Sequence, residues 1–321
     1  IKRAPFSNWF KPLEFHPSAL ALSLLHYTML FLRRRRYGVY FVLLVLTMST
    51  KEVLPLTTFA LGLYAFLFER QRVVGTVTMA VSAVWFVLAV FFVVPYFSPE
   101  GQSQYFAEYY GWLGGTPGTA IAQMVSHPEA VWQRLTEVDS LQYIERLLRP
   151  WVYTPLLGLP ILLIAAPALL LNVLSDFSFQ LRSLNFFQYA AAIAPFVVVA
   201  AIDGTALLSR QVGSVLERRW PDAARRWDAR LVVAGAVILL SLLVSLSVQR
   251  YHGFLPLSLD FYLAPQSEKV LAAESLVRQV PAEDTVSADL IFGPHLSQRP
   301  DLYLYPSVRD ADYGVVDASY R

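Results

Sequence analysis

The residues near the start of the chain that suit metal chemistry are a carboxylate and an imidazole, in Glu14-Phe15-His16-Pro17. Glu14 and His16 are two positions apart, and in extended chain such side chains point to the same side. Oxygen and nitrogen ligands suit Mg²⁺ or Mn²⁺ and leave coordination positions for phosphate oxygens. Spacing alone favours a simpler alternative, a turn that places an acid near the N-terminus of the next helix, where the helix dipole stabilises it.

Lys51-Glu52 is a charged pair between two apolar stretches. Ionised groups are costly in lipid, so charged residues between membrane segments usually face a cavity or mark a function. Lys51 carries a compact positive charge that suits a phosphate group. The alternative is a charged turn at the membrane surface, and periodicity does not separate the two.

Aromatic residues are concentrated in the polar stretch 98–150, around and before four glycines. Their rings offer flat surfaces on which a sugar can stack. The alternative is that they anchor the protein at the membrane interface, where Tyr and Trp are enriched. The candidate substrate-binding residues in this stretch are Tyr105, Tyr109, Tyr110 and Trp112.

Two further candidates for substrate binding stand elsewhere in the chain. Arg182 follows Asn172 and Asp176 between two apolar segments, where it can pair with Asp176 or bind an anion. His295 lies in Gly293-Pro294-His295-Leu296-Ser297-Gln298-Arg299, as a ligand or base or simply to order its loop.

The elements that must position these residues are membrane segments. The chain has 321 residues, is 55% hydrophobic and 16% charged, and has a mean hydropathy of +0.45, whereas a soluble domain is about 25% charged. Four long stretches carry no charge, and Arg72 to Glu100 brackets the longest. Because about 20 apolar residues cross a bilayer as a helix, the sequence predicts an all-α polytopic membrane protein.

Composition and motifs also exclude several classes of function. The net charge is only +2 and the arginines occur in short clusters between apolar runs, so no nucleic-acid partner is expected. Without cysteine, the chain has no disulfides and no thiolate metal sites. It lacks a Walker loop, a Rossmann glycine motif, H-E-x-x-H and G-x-S-x-G, which argues against ATP-driven transport, nicotinamide chemistry, zincin proteases and α/β-hydrolases.

We expect about six or seven membrane segments in one transmembrane domain, residues 1–248. The predicted segments are 17–32, 37–50, 53–68, 73–97, 151–174, 186–208 and 231–248. Residues 249–321 predict a small soluble α/β tail, with a helix at 267–279 and strands at Thr285–Ala288, Leu302–Tyr305 and Tyr313–Asp317. Because the chain begins with Ile1 and a strand is predicted near its last residue, we expect an excerpt with an incomplete tail.

Arginine bias in short loops predicts the orientation of these segments. Arg33–Arg36, the Arg70 and Arg72 pair and the loop 209–230 are expected in the cytoplasm. The loop 98–150, with more acids than arginines, and the C-terminal tail are expected outside.

These assignments agree only if segment 151–174 enters and leaves on the same side. Pro155, Gly158, Pro160 and Pro167 interrupt it, which favours a re-entrant hairpin of two half-helices whose bent backbone is covered by protein or water. The alternative is a single kinked span, which would place the basic loop outside.

The order of these motifs resembles a known family. Glu14-Phe15-His16-Pro17, Lys51-Glu52 and Tyr109-Tyr110-Gly111-Trp112-Leu113-Gly114 are followed by the proline-interrupted segment and by Gln188-Tyr189 before an Ala-Pro-Phe helix. The tail adds Val286-Ser287-Ala288 and the histidine motif at 293–299. Over nearly the whole chain, this order resembles the bacterial polytopic membrane proteins of domain-of-unknown-function family 2079.

That family is similar to the GT-C glycosyltransferases, which include protein O-mannosyltransferases and oligosaccharyltransferases. The resemblance implies a GT-C-like helix bundle that transfers a sugar, with inversion, from a polyprenyl-phosphate donor at the outer face of the bacterial cytoplasmic membrane. It places a catalytic acid in the first outer loop, which we expect to precede Ile1, so no catalytic base is assigned in this chain.

The resemblance also implies roles for residues of this sequence. Glu14 and His16 match a second acidic motif, sometimes Asp-x-His, that holds a metal in some members, although Glu replaces the usual Asp. Lys51 would meet the donor phosphate and Glu52 would orient Lys51, while the outer loop and the tail would shape the donor or acceptor site.

Two other functions stay open alongside this one. A transporter or flippase-like protein would line a pathway with Lys51, Glu52 and the hairpin. A membrane scaffold would bind a partner through its tail. Donor sugar and acceptor are not defined by the sequence.

Overall fold

A computed structural model describes residues 18–97, 108–177, 181, 188–224, 227–253, 255–259, 261, 268–289, 291–299 and 301–317. The chain forms two compact units, and the first is Pro17–Asp260. The second contains Phe261–Arg321. The first twelve residues of the segment predicted as the tail therefore belong to the first unit.

The described part of the first unit is helical. Its helices are α1 Ser18–Arg33, α2 Tyr37–Met48, α3 Leu54–Leu67, α4 Arg72–Phe97, α5 Pro117–Ser126, α6 Pro128–Thr136, α7 Val138–Leu148, α8 Thr154–Val173, α9 Ala194–Arg219 and α10 Ala229–His252. Single turns connect some of them, at Gly111–Leu113, Arg149–Trp151, Gln188–Ala190 and Pro221–Ala224.

Four of these helices, α4, α8, α9 and α10, are long and apolar enough to cross a membrane. The apolar helices α1, α2 and α3 are shorter. The predicted helical membrane protein is therefore confirmed at the level of its fold class, while the number of membrane passes stays a prediction.

Glycines allow α3 and α4 to pack closely as an antiparallel pair. A Cβ atom added at Gly75 would lie 2.7 Å from the carbonyl oxygen of Gly62 and 2.7 Å from the nitrogen of Phe66. Close backbone approach through small residues is a common way for membrane helices to associate. The pair packs on a core of buried side chains from α1, α2, α8 and α9 that includes Leu25, Tyr40, Ile164 and Phe196.

The predicted hairpin of two half-helices within 151–174 is wrong, because α8 is one continuous helical run. It alternates between 3₁₀ turns, Thr154–Gly158 and Leu163–Ala165, and α-helical turns. Each of its prolines stands in the first turn of one of these short pieces. Proline is tolerated there because its missing N–H would have no partner in the helix.

The chain does reverse close to this segment, but it does so before α8. Val152 and Tyr153 have left-handed backbone conformations, with φ of 51° and 58°. The helix that leads into this reversal is α7. Asn172, near the end of α8, donates a hydrogen bond to the hydroxyl of Tyr143 in α7 at 2.8 Å. The chain therefore enters α7 and leaves α8 at the same end of the first unit.

The second unit contains a helix, α11 Glu268–Gln279, and three strands, β1 Val286–Ala288, β2 Leu302–Leu304 and β3 Tyr313–Val315. The strands form a parallel sheet in the order β2-β1-β3. Central strand β1 is buried along its whole length, as expected for a strand paired on both sides. The predicted helix and strands of the tail are confirmed.

Candidate functional site

The Lys51-Glu52 pair lies in the short connection between α2 and α3. Both residues are half-buried, and the nitrogen of Leu54 donates to the carbonyl oxygen of Lys51 at 3.1 Å as α3 begins. The pair is therefore held at one end of the helix bundle, next to the first turn of α3.

Glu52 lies close enough to Tyr110 for the two to interact electrostatically. Burial raises the pKa of the Tyr110 hydroxyl, and Tyr109 and the negative charge of Glu52 raise it further. The structure thus brings together a charged junction and an aromatic loop that are more than fifty positions apart in the sequence.

Two aromatic side chains of this loop cap the end of α8. The hydroxyl of Tyr110 donates to the carbonyl oxygen of Leu171 at 2.8 Å, and the indole N–H of Trp112 donates to that of Leu174 at 2.8 Å. The last carbonyls of a helix have no partner within the helix, so these bonds fix the loop on the end of α8.

A second set of contacts adds Tyr109, Phe177 and Tyr189 to Tyr110 and Trp112, and we refer to these five residues as the aromatic cluster. The ring of Tyr109 stacks on Phe177, with centroids 4.8 Å apart and planes 1° apart. Phe177 also meets the edge of Tyr189 at 6.3 Å. Asn172, which is buried, donates to the carbonyl oxygen of Tyr189 at 3.0 Å. The segment before α9 is in this way tied to the same cluster.

Arg134 in α6 contributes a charge that the sequence analysis did not single out. Its guanidinium forms ion pairs with Asp176 at 2.5 Å and Glu137 at 3.4 Å. It also lies over the ring of Trp112, 5.7 Å from the centroid. Asp176 thus pairs with Arg134. Since the two are 42 positions apart, no local spacing could have indicated this contact.

Four predicted site residues lie outside the described residues, namely Glu14, His16, Tyr105 and Arg182. The metal site at Glu14 and His16 therefore stays a prediction. Among the residues that the structure describes, no group of three or more His, Asp or Glu side chains could hold a metal ion. His295 is exposed, on the single turn Gly293–Leu296 of the second unit.

Long apolar helices with polar and aromatic side chains gathered at one end are typical of polytopic helical membrane proteins. Residues 7–318 match the family model described as "Predicted membrane protein (DUF2079)", and the chain therefore belongs to this family. No curated protein and no solved structure matches the chain. The resemblance to this family is confirmed, whereas the similarity to GT-C glycosyltransferases and the bacterial inner-membrane location stay predictions.

Proposed function

We propose that this protein is a membrane glycosyltransferase that takes a sugar from a polyprenyl-phosphate donor at the outer face of the membrane. The observation that carries the proposal is that Glu52, next to Lys51 in the chain, lies close enough to Tyr110 to interact electrostatically with its hydroxyl. A cation, a carboxylate and aromatic surfaces in one place suit a ligand with a phosphate and a sugar ring.

In the proposed reaction an acceptor oxygen attacks the anomeric carbon of the donor, and the bond from that carbon to the phosphate oxygen breaks. A general base takes the acceptor's proton, and the phosphate leaves with the bonding electron pair. Lys51 stabilises the negative charge that develops on this phosphate, and Glu52 orients Lys51. Glu14 and His16 stay candidates for holding Mg²⁺ or Mn²⁺, which would supply further positive charge.

The aromatic residues take different parts in this proposal. Tyr110 is only 9% exposed and Trp112 is 37% exposed, so Tyr110 mainly positions the loop while Trp112 offers surface to a sugar. Tyr105, Tyr109, Arg182 and His295 stay candidates for donor or acceptor binding.

The experiment uses full-length protein in liposomes with a radiolabelled polyprenyl-phosphate sugar and measures release of labelled product. We expect Lys51→Ala to lower the rate about 100-fold, the order of loss when one group that stabilises the transition state is removed. The control is Arg210→Ala, which removes an exposed charge within α9. Equal rates for wild type and Lys51→Ala would show that Lys51 has no part in transfer.

A second candidate is a flippase-like transporter, favoured by hydroxyl groups buried between the helices. Tyr40 and Thr78 hydrogen-bond at 2.8 Å, as do Thr58 and Ser82, and all four are buried. Such groups can line a polar route, although they also join helices directly. Transport predicts movement of the lipid-linked sugar across the liposome membrane without loss of its sugar, which the same labelled donor would reveal.

A further inference from the structure

Two arginine-rich loops lie side by side at the end of the bundle opposite to Lys51-Glu52. One is the α1–α2 loop, residues 33–36, and the other is the α3–α4 loop, residues 69–72. Gln71 donates from its side chain to the carbonyl oxygen of Leu32 at 3.5 Å. The Nε atom of Arg33 lies 3.7 Å from the carboxylate of Glu69. The loops thus form one continuous surface.

Arg33 and Glu69 have their charges matched inside the protein. Both terminal nitrogens of Arg33 donate to the carboxylate of Asp203 in α9, at 2.6 and 3.1 Å. Glu69 accepts a hydrogen bond from the hydroxyl of Tyr64 at 2.7 Å. These groups join α1, α3 and α9 and leave no acid of the two loops to neutralise the other arginines.

Five arginines remain on this surface, and all are exposed. None of them forms an ion pair with another residue that the structure describes. They carry five positive charges in two adjacent loops. We refer to them as the arginine surface, which consists of Arg34, Arg35, Arg36, Arg70 and Arg72.

Two of these arginines occupy backbone positions that favour glycine. Arg35 has φ of 54° and Arg70 has φ of 56°, and each follows the end of a helix. Helices commonly end with one left-handed residue, which is usually glycine because a Cβ atom is strained there. The chain thus uses arginine in both loops where glycine would give a more stable turn.

Apolar side chains border the arginine surface. Leu67 and Phe68 are 55% and 52% exposed, and Val73 is 78% exposed. All three lie within three positions of Arg70 or Arg72 in the sequence. A boundary between exposed apolar side chains and exposed arginines matches the boundary between the acyl chains and the phosphates of a lipid.

We propose that the arginine surface docks the phosphate groups of anionic lipid headgroups. The guanidinium group presents paired donors that match phosphate oxygens. The bordering apolar residues select a lipid over a soluble phosphate, because only a lipid brings acyl chains to the same place. The proposal does not depend on the glycosyltransferase function.

The test uses full-length protein in phosphatidylcholine vesicles with spin-labelled phosphatidylglycerol or spin-labelled phosphatidylcholine. Electron paramagnetic resonance gives the ratio of the two association constants. Each arginine near an anionic surface contributes roughly a fivefold gain in binding. We expect Arg35→Gly/Arg70→Gly to lower the preference for phosphatidylglycerol at least about fivefold and to raise the melting temperature.

Opposite changes in lipid preference and in thermal stability separate docking from a merely structural role. The charge-matched control, Arg218→Gln/Arg219→Gln, removes two exposed arginines at the end of α9 and should keep the preference. A second variant, Arg34→Gln/Arg36→Gln/Arg72→Gln, leaves the left-handed positions intact and should also lose it. The proposal would be overturned if the lipid preference were unchanged in both variants of the arginine surface. It would also be overturned if millimolar inorganic phosphate displaced the labelled lipid.

Discussion

At the scale of single residues, the candidate site depends on side chains that satisfy backbone groups as well as on those that could meet a substrate. Tyr110 and Trp112 donate to carbonyl groups in the last turn of α8, and Arg134 holds Asp176 just beyond it. The loop after α4 is in this way fastened to the end of α8. Glu52, which lies close enough to Tyr110 for an electrostatic interaction, therefore faces a loop that is held in place.

Replacement of Tyr110 by phenylalanine tests this fastening. The variant loses a buried hydroxyl donor, so we expect it to destabilise the protein by about 1–3 kcal/mol and to lower its melting temperature by about 2–4 °C for each kcal/mol. Thermal unfolding in detergent, followed by tryptophan fluorescence, measures the change.

The matched control for this prediction is Tyr153→Phe. The hydroxyl of Tyr153 also makes a hydrogen bond, to Glu145 at 3.1 Å, but Tyr153 is 45% exposed and water can replace the lost partner. We expect a smaller change than for Tyr110→Phe. Equal melting temperatures for the two variants would mean that the cap on α8 does not stabilise the loop.

At the scale of elements, α8 and α9 touch through their backbones. A Cβ atom added at Gly158 would lie 2.5 Å from the carbonyl oxygen of Ala200, and one added at Gly204 would overlap the carbonyl oxygen of Thr154. Each of the two glycines therefore lets the facing helix approach. This contact fixes the position of α8 along the axis of α9. It therefore also fixes the position of the α8 end that Tyr110 and Trp112 cap.

Gly204→Ala should therefore destabilise the first unit, because backbone atoms cannot move aside as a flexible side chain can. Overpacking of this kind typically costs about 1–3 kcal/mol. Gly235→Ala in α10 is the control, since nothing lies within 4 Å of the position of its Cβ atom and alanine favours helix. Thermal unfolding should show a lower melting temperature for Gly204→Ala alone, and equal melting for both variants would contradict the close contact.

Hydropathy predicted most helices but not where they end. The predicted segment 186–208 corresponds to α9 Ala194–Arg219, whose last eleven residues were assigned to a cytoplasmic loop. Hydropathy marks the part of a helix that suits lipid, and a polar continuation of the same helix carries no such mark. Proline misled the prediction for α8 in a different way, because the local change to 3₁₀ turns that accommodates it cannot be read from residue types.

The candidate site was predicted only in part, because sequence patterns give local signals and do not show contacts between distant segments. Lys51, Glu52 and the loop aromatics stood out because charge between apolar runs and clustered aromatics are local signals. Arg134, Tyr143 and Phe177 did not, because their roles come from contacts between distant segments. Arg134 even has an acid three positions later, Glu137, which reads as an ordinary pair on a helix surface.

At the scale of the whole molecule, the first unit has two chemically different ends. One end gathers Lys51, Glu52 and the aromatic cluster, and the other carries the arginine surface beside the ion pair of Arg33 and Asp203. Arginine is retained preferentially on the cytoplasmic side of a membrane. The separation of the two ends therefore favours an outer location for the candidate site.

Cysteine labelling tests this orientation directly, because the chain contains no cysteine of its own. We expect Gly118→Cys, at an exposed position in α5 with open space around it, to react with a membrane-impermeant maleimide on intact cells. Trp220→Cys, at a position just after α9 that is 58% exposed, should react only after the cells are permeabilised. If Trp220→Cys reacted on intact cells and Gly118→Cys did not, Lys51 would face the cytoplasm, and a donor presented at the outer leaflet could not reach it.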